Sequence, residues 1–248
     1  MEGYVLTLAY KGTAFCGWQV QPGKRTVQAV LQDSCERVFG TRPDITGCSR
    51  TDAGVHAKGF VALASFKGEA PSIPAGSLPQ ALNAALPDDV AVIAAEAAPQ
   101  GFHPRYSAKS KEYIYTVRNS RLRDPFTDEF AWLYPRRLDE EALDGICKAF
   151  TGKKDFRAFM AAGSKIKDTV RTVYGFSARR EGDMIYFTAR ADGFLYNMVR
   201  IMVGTAAEVC VNGFGPERIE EIIASLDRSE AGITAPAKGL CLNRVFYD

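Results

Sequence analysis

Histidine is scarce in this chain, with two in 248 residues, His56 and His103. The six cysteines (Cys16, Cys35, Cys48, Cys147, Cys210, Cys241) are scattered without a Cys-x-x-Cys pair. Together these absences exclude the usual zinc ligand sets, so free thiols, no metal and no cofactor are expected. No apolar run approaches the ~20 residues of a membrane span. Met1-Glu2-Gly3 leads straight into an alternating segment rather than a signal peptide, so a cytoplasmic protein is expected. An excess of either charge is also missing, since the formal net charge is only +2.

What charge there is lies unevenly. Residues 101 to 125 carry six Lys/Arg against Glu112 and Asp124, and residues 151 to 180 carry eight against Asp155 and Asp168. Two basic blocks on a nearly neutral chain are what a phosphate-binding groove needs. Lys165 and Lys167 belong to the second block.

The hydrophobic pattern reads as two similar halves, 1–100 and 101–248. Residues 4–10 alternate Tyr4, Leu6, Leu8 and Tyr10 as a strand. Gly12 and Gly17 mark a loop containing Phe15 and Trp18. Thr26 caps a helix carrying Val27, Val30, Leu31, Cys35, Val38 and Phe39 on one face and ending at Gly40. A short strand from Ile45, a strand over 60–66, a helix from Leu78 to Leu86 and a strand over 90–94 complete a β-α-β-β-α-β order. The second half repeats it: a strand over 112–117, a helix capped by Asp139, strands over 170–179 and 184–191, an apolar helix from Leu195 to Val209, a helix from Pro216, and a strand over 241–247. The expected fold is α+β, two ferredoxin-like halves forming a mixed, largely antiparallel sheet with a central cleft for RNA.

One stretch fits neither period: Gly47-Cys48-Ser49-Arg50-Thr51-Asp52-Ala53-Gly54-Val55-His56-Ala57-Lys58-Gly59. Its glycines and alanines leave room for a large planar group near the Asp52 carboxylate, and Arg50 can reach a phosphate or fill a gap in a base stack. The same residues also fit an Asx-turn in which Asp52 only bonds the backbone. Cys48 reads as packing, and a lone histidine such as His56 as a structural hydrogen-bonding residue.

Arg50-Thr51-Asp52-Ala53-Gly54-Val55-His56-Ala57 resembles the active-site signature of the TruA-type tRNA pseudouridine synthases (the tRNA pseudouridine synthase A family), in which the aspartate is catalytic. Ser49 and Phe60 stand where that family commonly has glycine and glutamine. Further blocks resemble the family in order: Leu82-Asn83 with Leu86-Pro87, residues 102–108 (Phe-His-Pro-Arg-Tyr-Ser-Ala), Asn197-Met198-Val199-Arg200, and residues 235–240. Lys111-Glu112-Tyr113-Ile114-Tyr115 is similar to its Lys-x-Tyr-x-Tyr block, whose first tyrosine packs on the target base.

The resemblance implies an isomerase that converts uridine to pseudouridine at positions 38 to 40 of the tRNA anticodon stem-loop, as a homodimer. Asp52 is the expected nucleophile, already charged at neutral pH at a reference pKa of ~3.9. Tyr113 supplies a stacking ring and a hydroxyl, and Arg50 helps turn the uridine out of its stack. Arg200, in an apolar helical stripe, needs a carboxylate partner, for which Asp52 is expected. Two other readings compete: a duplicated RNA-binding module without catalysis, and a metal-dependent phosphohydrolase, against which the shortage of histidines and clustered acids argues.

Overall fold

The computed structural model describes residues 3–68, 71–164 and 166–248. Lys165 of the second basic block and the leading Met1-Glu2 lie outside them. The chain divides into two compact units, Met1–Lys109 with Leu242–Asp248, and Ser110–Cys241. The sequence boundary at 100/101 lies in the connection between the fourth and fifth strands.

The first unit contains β1 (Gly3–Tyr10), α1 (Val27–Phe39), β2 (Asp44–Gly47), β3 (His56–Ser65), α2 (Leu78–Asn83) and β4 (Val90–Ala97). Its strands run antiparallel in the order β4-β1-β3-β2, the ferredoxin-like arrangement. The alternation read along β1 buries Tyr4, Leu6, Leu8 and Tyr10. Tyr4 stacks on Phe39 at 5.6 Å and so ties that face to α1. Leu31 and Cys35 of α1, with Leu78 and Leu82 of α2, complete the apolar layer. β3 begins four residues before the expected strand, so His56 and Ala57 belong to it, with Ala57 opposite Tyr10 and Phe60 opposite Leu8.

Thr26 does stand at the cap position of α1, but its side chain makes no capping bond. The first helical N–H groups are satisfied by backbone instead: Val27 donates to the Gly17 carbonyl (3.2 Å) and Gln28 to that of Trp18 (3.0 Å). With that work done, the buried Thr26 Oγ1 has no partner among the described residues.

The second unit contains β5 (Ser110–Arg118), β6 (Trp132–Leu133), α3 (Glu140–Lys148), β7 (Gly152–Asp155), β8 (Val170–Glu181), β9 (Met184–Ala191), α4 (Met198–Val211) and α5 (Pro216–Ser225). The chain closes with β10 (Leu240–Phe246), within which the division between units falls. The antiparallel order β5-β9-β8-β7 repeats the 1-3-2 core of the first unit, with β7 added at the β8 edge and the two-residue β6 parallel to β5. Asp139 caps α3 as expected, its carboxylate accepting from the Ala142 N–H at 2.9 Å. α4 is nearly encased, with Met198, Val199, Ile201, Met202, Val203 and Ala206 buried. Such a helix is held by packing rather than by amphipathic balance. Among the described residues, no helix is long and apolar enough to cross a membrane.

Candidate active site

The Asp52 loop joins β2 to β3 and is a built turn. The Val55 N–H donates to the Asp52 carbonyl at 3.2 Å, and Gly54, at φ +80°, occupies the turn position that requires a left-handed backbone. Asp52 therefore starts a β-turn whose shape depends on the glycine two residues on. Asp52 itself is partly exposed, flanked by the buried Thr51 and Val55.

A second segment, residues 12–18, clasps this turn from outside. Trp18 donates its N–H to the Thr51 carbonyl (3.0 Å), and Gly54 donates to that of Phe15 (3.3 Å). Gly17, at φ +84°, comes so close that a Cβ there would lie 2.6 Å from the Thr51 oxygen. The Trp18 carbonyl in turn accepts from Gln28 in α1, so backbone hydrogen bonds run from the helix N-terminus through Trp18 to Thr51, the residue before Asp52. Each such bond adds only about 1 kcal/mol, but together they leave the turn little freedom.

Side chains reinforce the clasp. The Tyr10 hydroxyl and Thr51 Oγ1 share a buried 2.8 Å hydrogen bond. His56 Nδ1 accepts the Gly12 N–H at 3.0 Å, which makes Nδ1 the unprotonated nitrogen. Beneath the loop, Phe60 is fully buried and stacked on Trp18 at 4.1 Å, with Tyr10 at 5.7 Å. An apolar platform thus occupies the place where a glutamine is common. Cys48 exchanges bonds with Val61, accepting at Sγ (3.4 Å) and donating its N–H to the Val61 carbonyl (2.8 Å), as a packed residue does.

The expected residues fall in two groups. Arg50 and Asp52 share the loop of the first unit, and Arg50 is exposed with no carboxylate partner among the described residues. Tyr113 and Arg200 belong to the second unit. Tyr113, on β5, is 6% exposed and meets Phe194 edge-on at 5.2 Å. Arg200, in the first turn of α4, donates from Nε to the Ala235 carbonyl (2.7 Å) and from Nη1 to Asn197 Oδ1 (2.8 Å). Asn197 adopts a left-handed backbone at φ 59°, a strained conformation of the kind found where a side chain must be aimed. Next to Ala235, the Pro236 carbonyl accepts the Tyr115 hydroxyl at 2.7 Å. Burial pushes the Tyr115 phenol upward, and the Arg200 charge opposes that only in part, so Tyr115 stays protonated.

Sequence reasoning missed the clasp: Tyr10, Gly12, Gly17 and Trp18 read only as a strand and a loop. The usable signal is the pair of glycines at 12 and 17 around two large aromatics, since glycine beside bulky residues marks close backbone approach.

The first unit thus sets a partly exposed carboxylate on a fixed turn, two residues from an exposed arginine and backed by the buried Phe60–Trp18 stack. The family model described as tRNA pseudouridine synthase matches residues 7–107 and 146–248. The chain is 41% identical over 247 residues to the "tRNA pseudouridine synthase A 2" of Clostridium perfringens, covering all of both proteins. It is 41% identical to the tRNA pseudouridine synthase A of Citrifermentans bemidjiense, covering all of this chain and 98% of that one. It is 43% identical to the synthase of the same name from Moorella thermoacetica, covering 98% of each. Among solved structures, a chain of a Cbf5-Nop10-Gar1 complex aligns with 96% of this chain and 57% of its own length, at a TM-score of 0.38 and 12% identity, too distant to bear on the site. The chain belongs to the tRNA pseudouridine synthase family, and it is an isomerase acting on uridine in tRNA.

Proposed function

We propose that Asp52 is the nucleophile of this isomerisation and that the uridines modified are those at positions 38 to 40 of the anticodon stem-loop. The supporting observation is the clasped turn. Pseudouridine formation breaks the bond from uracil N1 to ribose C1′, turns the base, and rejoins it through C5, whose hydrogen leaves to water as a proton while N1 takes one up. No external group or redox change is needed. The reaction requires an ionised nucleophile, a surface for the detached base and exclusion of water. Asp52 supplies the charge and attacks the uracil ring or C1′. Preorganisation by Thr51, Trp18 and Gly54 means that little reordering is needed during the reaction.

Tyr113 serves as the stacking ring for the target base and offers its hydroxyl for a proton step. Arg50, exposed and beside Asp52, takes the place of the extruded uridine or pairs with its phosphate. Arg200 supplies a positive charge that binds the anionic RNA substrate. On this reading the first half carries the nucleophile, and the second half binds tRNA. The enzyme works as a homodimer in the cytoplasm, without a cofactor or metal.

The test is to treat unmodified tRNA transcripts with the enzyme and map pseudouridine by carbodiimide adducts that block reverse transcription. Stops confined to 38–40 support the reading, and stops elsewhere with none at 38–40 refute its specificity. In the same assay, Arg200→Met should raise the tRNA concentration needed for half-maximal modification, because a charged contact to the RNA is lost. An unchanged concentration would remove Arg200 from the site.

A further inference from the structure

The 102–107 segment of the first unit carries an exposed aromatic that is held in place. Tyr106 is 76% exposed. A single exposed apolar residue needs no explanation. This one sits on a turn pinned at every step. His103 Nδ1 accepts the N–H groups of both Arg105 (3.1 Å) and Tyr106 (3.2 Å). His103 and Ser107 exchange two bonds, His103 N–H to Ser107 Oγ (3.1 Å) and Ser107 N–H to the His103 carbonyl (2.9 Å). The His103 ring lies 4.3 Å from the Tyr106 ring at an interplanar angle of 35°, and so backs the phenol.

The turn is also anchored from below. Tyr247 donates its hydroxyl to the Pro104 carbonyl at 2.9 Å, and its ring packs on Phe102 at 5.1 Å. Tyr247 lies within electrostatic reach of the Cys48 sulfur, at the start of the Asp52 loop. The turn and the Asp52 loop belong to the same unit.

Charge at the turn is of one sign. The Arg105 guanidinium carbon is 5.7 Å from the Tyr106 centroid, near the ~6 Å limit of a cation–π contact, so it is not closed down on the ring. Arg105 and Lys109 are both exposed and, among the described residues, neither has a carboxylate partner. A backed aromatic ring with an exposed guanidinium beside it and a second exposed cation three residues on fits one ligand chemistry, an unpaired nucleobase together with its phosphate. A phosphate alone would not need the ring, and an apolar partner would not need the cations.

We propose that Tyr106 is a stacking platform for an unpaired nucleotide of the RNA substrate, with Arg105 on its phosphate, a contact separate from the residues that act on the target uridine. The proposal rests on the reading of tRNA as substrate and extends it to a second point of contact.

Its test uses the full-length protein and an unmodified tRNA transcript. Equilibrium binding is measured across a salt series for wild type, Tyr106→Ala, Tyr106→Trp and Arg105→Gln. Tyr106→Ala should weaken binding by roughly 5- to 100-fold, the range for loss of one base–aromatic stack. Its log–log salt slope should match wild type, because stacking releases no counterions. Tyr106→Trp should restore binding to within a few-fold, with fluorescence quenched on adding tRNA. Arg105→Gln should lessen the salt slope by about 0.7–0.9, one phosphate contact. Wild-type affinity in Tyr106→Ala overturns the proposal, as does lost affinity that comes with a smaller slope, since the contact would then be purely electrostatic. Should wild type itself fail to bind tRNA, the functional reading falls first and this inference with it, which the wild-type arm shows directly.

Discussion

Gly17 offers the sharpest test of how the Asp52 turn is held. Its backbone is left-handed, at φ +84°, and a Cβ there would lie 2.6 Å from the Thr51 oxygen, 3.2 Å from the Asp52 carbonyl carbon and 3.3 Å from the Ala53 nitrogen. Alanine pays about 1–2 kcal/mol for the left-handed conformation. Displacing backbone that cannot swing aside adds about 1–3 kcal/mol. The expected total of roughly 2–5 kcal/mol should lower the thermal midpoint by on the order of 5–15 °C for a chain of this size. The displaced neighbour is the turn at Asp52. A misplacement approaching 1 Å costs about 100-fold in rate, so kcat should fall roughly 10- to 100-fold while tRNA affinity changes only a few-fold. Gly23 is the matched control. It too is left-handed, at φ +68°, but a Cβ there meets nothing within 4 Å. Gly23→Ala should cost about 1 kcal/mol and leave kcat alone. Differential scanning fluorimetry and single-turnover kinetics on both variants decide the matter. If Gly17→Ala turns over like Gly23→Ala, the clasp does not position Asp52 and the reasoning fails.

Two further outcomes are expected. His56→Asn can still accept the Gly12 N–H and should keep most of kcat, whereas His56→Leu should lose roughly 10-fold or more with little change in KM; equal activities would make the His56 bond irrelevant to the loop. The bidentate Arg25–Asp89 pair, at 2.7 and 2.8 Å, holds the Asp89 carboxyl below its ordinary range, chiefly through the guanidinium hydrogen bond. Its stabilisation is therefore present above about pH 4 and is lost as pH falls through the depressed value. Because the pair is partly in water, Asp89→Asn should lower the thermal midpoint by only about 1–3 °C at pH 7, with the gap closing near pH 2. A gap independent of pH would contradict that assignment.

Much of this molecule is legible from its sequence, for reasons visible in particular elements. α1 announces itself by three-and-four spacing and a closing glycine at 40, and β1 by the alternation of Tyr4, Leu6, Leu8 and Tyr10, whose first ring stacks on Phe39 of α1. β7 was not legible: Gly152-Lys-Lys-Asp155 has no apolar alternation, being an edge strand held by ladder bonds to β8. β6 is two residues long and owes its pairing to β5, beyond the reach of any local pattern. The Thr26 cap failed because carbonyls ten residues earlier in the chain took the helix N–H groups first, a tertiary choice that overrides a local preference. At the site the contrast is the same. Arg50 and Asp52 stand out as polar residues among glycines, while the contributions of Tyr10, Gly17 and Trp18 depend on partners more than thirty residues away. Both histidines, read as structural, accept backbone N–H groups at Nδ1.

The central claim is that Asp52 is the charge that opens the glycosidic bond. Tritium release from tRNA labelled at uridine C5 measures this directly, because isomerisation frees that hydrogen while leaving mass unchanged. Wild type should release tritium with no added metal or nucleotide. Asp52→Asn, which keeps the shape and removes the charge, should bind the tRNA with near wild-type affinity and release none above background. Substantial release by Asp52→Asn would contradict the account.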